Sequence, residues 1–76
     1  MANLMLVDEE NLADDERLRV EDAWQKFLVK HPAKTAVRRQ VRRDVINGRL
    51  VVEFWLPSGV MAGRAYQLPD GSMELQ

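Results

Sequence analysis

A stripe of apolar residues between positions 13 and 30 does most to limit what this chain can become. Val20, Ala23, Trp24, Phe27 and Leu28 recur at i, i+3, i+4, i+7 and i+8. That spacing gathers side chains along one side of an α-helix. Asp14, Asp15 and Glu16 fall in its first turn, where negative charge suits the positive end of the helix dipole. Lys26 and Lys30 stand near the other end, again the favourable sign. Asp22 lies four residues before Lys26, a modest helical ion pair. Pro32 closes the segment, because the residue ahead of a proline, here His31, is driven out of the helical region. The pattern predicts an amphipathic helix over about 13–30, with Trp24 and Phe27 in the core.

Such a helix needs a second apolar surface to cover its stripe. From residue 49 the period changes from helical to alternating. Leu50, Val52, Phe54 and Leu56 alternate with Arg49, Val51, Glu53 and Trp55, as in a strand with one buried face. Leu56-Pro57-Ser58-Gly59 then reads as a turn, since proline pre-sets φ and glycine is favoured at the fourth place. A second strand runs over about 60–68, with Gly63 marking a bulge or a close approach. Leu68-Pro69-Asp70-Gly71 repeats the same turn chemistry, and 72–75 makes a short edge strand. The expectation is an α+β fold whose C-terminal part is an antiparallel meander over 49–56, 60–68 and 72–75. Its core places Val20, Trp24, Phe27 and Leu28 over Leu50, Val52, Phe54 and Leu56, the usual two-layer solution.

Between helix and meander lies Lys34 to Arg43, KTAVRRQVRR, with five basic residues in ten. As a helix, Val37, Val41 and Val45 form an apolar stripe opposite Arg38, Arg39, Arg42 and Arg43, and Gly48 stops it. As a strand, 41–46 leads into Asn47-Gly48, the strongest short hairpin signal. A two-residue turn there pairs Val45 with Leu50, Val41 with Phe54 and Arg42 with Glu53. The helix is preferred over 34–44, although valine is a poor helix former. The distinction matters, because a helix gathers all four arginines on one arc. A strand splits Arg38 and Arg42 from Arg39 and Arg43 across the sheet. At the other end, Leu4-Met5-Leu6-Val7 reads as an edge strand or a loose tail, and partial disorder over 1–11 is the preferred reading.

Seventy-six residues point to one small domain, 1–76, that buries only about 60% of its unfolded surface. Apolar residues make up 46% of the chain, enough for a core in which every large side chain counts. The absence of cysteine removes disulfides and thiolate metal sites as staples. No apolar run approaches the roughly 20 residues of a membrane span. A soluble, cytoplasmic protein is expected.

No catalytic set emerges. His31, the only histidine, serves as a helix boundary, and Ser58 and Ser72 stand in turns. There is no Walker loop, dinucleotide fingerprint or Cys/His metal spacing. The carboxylates of 8–22 lack the glycine-centred loop of a calcium hand. The chain is expected not to be an enzyme and to need no cofactor, metal or small-molecule substrate.

Charge is what remains, and it is segregated. The net charge is −1, but eight acidic residues lie between Asp8 and Asp22 and eight basic residues between Lys26 and Arg49. Arginine forks bind phosphate in pairs of hydrogen bonds and give salt-sensitive affinity for nucleic acid. The first expectation is a small regulatory protein that binds nucleic acid or a nucleoprotein complex, such as transcription machinery. Lys34, Arg38, Arg39, Arg42, Arg43 and Arg49 would make the contacts. The same arginines fit an acidic protein surface equally well, and Asp14, Asp15, Glu16 and Trp55 join them as candidate partner contacts. A sheet face carrying Val51, Trp55 and Met61 is a further candidate dimer or partner surface.

In size, lack of a catalytic set and charge layout, the chain is similar to small phage-encoded proteins that bind and redirect a host nucleoprotein machine. RNA polymerase and CRISPR effectors are such machines. The similarity is one of kind, and it implies an inhibitor that acts through its acidic and basic surfaces.

Overall fold

The computed structural model describes residues 3–32 and 36–76. Strand β1 (Leu4–Val7) leads through a 3-10 turn at Glu9–Asn11 into helix α1 (Asp14–Lys30). Four strands follow: β2 (Arg38–Asp44), β3 (Leu50–Trp55), β4 (Met61–Gln67) and β5 (Met73–Leu75). The five strands form one antiparallel sheet in the order β1-β2-β3-β4-β5. The fold is α+β, with the expected C-terminal meander.

Helix α1 begins and ends where its sequence signals lie. The Glu16 carboxylate reaches back to accept the Ala13 N–H at 3.2 Å. At the other end the His31 N–H donates to the Phe27 carbonyl at 2.9 Å, and Pro32 prevents another turn. Asp22 and Lys26 pair at 3.1 Å. Lys26 also donates to the Met73 carbonyl at 2.9 Å, which ties the helix to β5.

The core is built where the two periodic patterns meet. Phe27 of α1 stacks on Phe54 of β3, with ring centroids 4.2 Å apart and planes 17° from parallel. Val20, Ala23, Leu50 and Val52 are buried around them, joined by Leu12, Val37, Val41, Ala65 and Met73. Trp24 is only partly buried. It sits at the margin, 5.9 Å from Phe54, with the Arg39 guanidinium 5.7 Å from its ring. Gly63 lies opposite Phe54 in the β3–β4 ladder, whose register shifts one step further on. A Cβ at Gly63 would stand 3.2 Å from Phe27 Cε1. Glycine there serves both expected purposes, the close approach and the irregular ladder.

The two Leu-Pro-x-Gly turns are alike in structure as in sequence. Gly59 N–H donates to the Leu56 carbonyl and Gly71 N–H to the Leu68 carbonyl, both at 2.9 Å. Both glycines have positive φ, 89° and 92°, the conformation that ends a three-residue hairpin loop without steric cost.

The basic segment is a strand, not the preferred helix. A spacing of four among Val37, Val41 and Val45 is even, so it fits one face of a strand as well as one side of a helix. Strand neighbours on both sides decide the matter: β1 and β3 both pair with β2, which β-branched valine favours. The register also differs from a two-residue Asn-Gly turn. Val41 faces Val52, Arg42 faces Val51 and Gln40 faces Glu53. The hairpin closes through a four-residue loop, 45–48. Asp44 accepts the Ile46 N–H at 2.8 Å, Asn47 accepts the Arg49 N–H at 2.9 Å, and Gly48 N–H donates to the Asp44 carbonyl at 2.8 Å. These side chains supply the bonds that two further ladder residues would have made. Leu4–Val7, for which partial disorder was preferred, pairs along β2, with Leu4 opposite Asp44 and Val7 opposite Val41.

Candidate interaction surface

Side chains alternate across β2, so the two arginine pairs part company. Arg39 and Arg43 share a face with Val41 and look towards α1. Arg38 and Arg42 look the other way, onto a sheet face that no helix covers among the described residues.

The inward pair is occupied. Arg39 grips Glu9 through Nη2 to Oε1 at 2.8 Å and Nε to Oε2 at 3.0 Å. Its Nη1 donates to Glu21 at 2.9 Å. Burial works to lower the Arg39 pKa, but the bonds to Glu9 and Glu21 outweigh it and hold the guanidinium above its ordinary value. The Arg39 bond in turn holds the Glu21 carboxyl below the usual range. Arg43 pairs with Glu16 at 2.9 Å and donates to the Gly48 carbonyl at 2.9 Å. The segregated charges of the sequence thus meet across the helix–sheet seam.

The outward face has a different character. Arg42 Nε donates to Glu53 at 2.8 Å, and Trp55 Nε1 donates to the same carboxylate oxygen at 3.3 Å. Glu53 is buried at 6% exposure although it lies on the open side, because these neighbours lie over it. The expected Arg42–Glu53 pair therefore forms, but diagonally rather than directly across the ladder. Arg64 lies opposite Glu53, its guanidinium 4.9 Å from the Tyr66 ring. Gln76 Oε1 accepts from both Arg64 Nε at 3.1 Å and the Tyr66 hydroxyl at 2.9 Å. Arg38 is exposed and forms no ion pair among the described residues.

The site residues named from sequence therefore do not form one patch. Arg38, Arg42 and Trp55 share the open face, and exposed Arg49 stands directly after the adjoining hairpin loop. Arg39, Arg43 and Glu16 belong to the seam. Asp14 and Asp15 are exposed in the first turn of α1. Lys34 lies outside the described residues. Val51, expected to be exposed beside Trp55 and Met61, is buried at 6%. Arg64 joins the open face without having been singled out, and Tyr66, which the sequence offers with Trp55 as a ring for stacking on single strands, lies two positions along the same strand. Their even spacing along β4 was the available signal, but it needed the β3–β4 register to become a site.

Compared with protein-family models, curated proteins and solved structures, the chain matches none. Among the described residues no helix is long and apolar enough to cross a membrane.

Proposed function

We propose that this is a small non-enzymatic protein that regulates a larger protein or nucleoprotein complex by docking the open face of its sheet onto an acidic surface. One observation carries the reading: Trp55 and Tyr66 lie partly buried among Arg38, Arg42 and Arg64 on a face that no helix covers among the described residues. Tryptophan, tyrosine and arginine are the residue types that dominate interface energies. Glu53 is covered and paired, and Asp44 and Glu74 stand at the margins of the face, so the charge at its centre is cationic. The resident hydrogen bonds of Trp55 and Tyr66 hold their rings in place before contact, which lowers the entropy lost on docking.

Nucleic acid is the second reading, favoured by the same two rings, on which unpaired bases could stack between arginines. It is the weaker one, because Arg39 and Arg43 are committed to carboxylates. Fewer forks are left for phosphate, and the dependence of affinity on salt should be correspondingly shallow.

The test is affinity capture from nuclease-treated cell extract with the wild-type chain, an Arg38→Glu/Arg64→Glu variant, a Trp55→Ala variant and Lys30→Ala as control. The expected result is a defined complex held by wild type and control and lost with both face variants. Identical capture by all four chains would refute the docking face. A complex that disappears on nuclease treatment would favour the second reading.

A further inference from the structure

Among the described residues strand β1 ends the sheet with a free edge, and the alternation of the ladder identifies which groups it offers. The Val45 N–H donates to the Asn3 carbonyl at 2.9 Å. Residues at odd positions of β1 therefore bond to β2, and the N–H and C=O of Leu4 and Leu6 point away from the sheet. Exposed edges are usually blunted by lysine, proline, a bulge or an inward charge. Between Asn3 and Asp8 there is only Leu-Met-Leu-Val. Met5 on the helix side and Leu6 on the open side are both 56% exposed. Val45, joined to Asn3, is 57% exposed and extends the apolar strip. The opposite edge, β5, has three residues and an exposed Glu74.

From this edge we infer that β1 is a homodimer site, pairing antiparallel with β1 of a second copy to make one continuous sheet through a two-fold axis. The segment is complementary to itself in register. With the axis at Met5, Leu4 of each copy lies opposite Leu6 of the other, and each such pair closes two N–H···O=C bonds from the outward groups. Met5 then meets its twin on the helix side, and the leucines meet on the open side. Charge favours the antiparallel sense. Asp8, Glu9 and Glu10 follow β1 directly, so parallel pairing would set the two acidic runs side by side, whereas the two-fold places them at opposite ends. A self-complementary contact of this kind closes on itself and does not propagate. The interface is separate from the docking face, and it brings two such faces into one extended surface.

The experiment is sedimentation equilibrium of the whole chain over a wide concentration range, with Leu6→Pro and Met5→Lys alongside. Leu6→Pro removes an outward N–H and leaves the β1–β2 ladder intact. Met5→Lys sets two cations against each other across the axis. Wild type is expected to pass from monomer to dimer as concentration rises. Both variants should stay monomeric at the highest concentration while keeping the wild-type circular dichroism spectrum and melting temperature. Should a variant lose its fold, contacts between Met5 methyl groups of differently labelled copies, read by isotope-filtered NMR on wild type, decide the point. A wild-type chain that is monomeric throughout would overturn the inference. So would a dimer untouched by folded variants, or a monomer whose β1 pairs only with a foreign extended peptide.

Discussion

The Arg39 guanidinium and the Glu9 carboxylate meet through two hydrogen bonds, at 2.8 and 3.0 Å, and so fasten β2 to the 3-10 turn that precedes the helix. The third donor of Arg39 reaches Glu21. One side chain thus links the N-terminal segment, α1 and the sheet, with its guanidinium carbon over the Trp24 ring. The same contacts engage Nε, Nη1 and Nη2 of Arg39 with carboxylates of the chain itself.

Acid should loosen this junction. The folded pKa of Glu21 lies below its ordinary value of 4.5, chiefly through its bond to Arg39. A depressed carboxylate pKa contributes stability that is present above the unfolded value and lost as pH falls through the folded one. Because Glu21 is largely exposed, solvent screening keeps its share to about a few tenths of a kcal/mol. Urea midpoints taken from neutral pH to pH 3 should decline below about pH 4.5. In Glu21→Gln the decline should be shallower.

A side chain at Gly63 is expected to crowd the core. The absent Cβ would press on Phe27, whose ring is held against Phe54. Gly63→Ala should destabilise by about 1–3 kcal/mol, the usual penalty of overpacking. Denaturant titration measures it, and a neutral result would mean that the Phe27–Phe54 stack gives way more easily than its geometry implies.

Glu53 and Arg42 should prove coupled. Removing Arg42 leaves a covered carboxylate with only Trp55 as a side-chain donor, and removing Glu53 leaves both donors without their acceptor. Each single alanine variant should cost about 1–3 kcal/mol. The double variant should cost less than the sum, by more than the roughly 0.5 kcal/mol scatter of independent sites. Additive losses would mean that the two side chains act separately.

Much of this fold was legible in the residues because it rests on local chemistry. The stripe from Val20 to Leu28, the stop at Pro32, the alternation from Leu50 and the paired Leu-Pro-x-Gly turns each carry their own signal. The basic segment was not legible in the same way. Its valines are spaced by a number that suits both periods, and what made it a strand was the presence of β1 and β3 beside it. The Asn47-Gly48 signal was real, but Asp44 and Asn47 spent their side chains on a longer loop, which moved the register by two residues. A shift of two keeps every side chain on its face, so the core survived the error. The candidate surface suffered more. Which arginines face solvent depends on strand and register together, and neither is written in the charge of the segment.

The division of the four arginines is therefore the claim to test first, by thermal melting of Arg38→Ala, Arg39→Ala, Arg42→Ala and Arg43→Ala side by side. Arg39→Ala should lower the midpoint most, Arg43→Ala and Arg42→Ala less, and Arg38→Ala should leave it unchanged. Equal shifts in all four, or the largest loss at Arg38, would contradict a sheet that turns one pair inward to hold the fold and the other outward onto the open face.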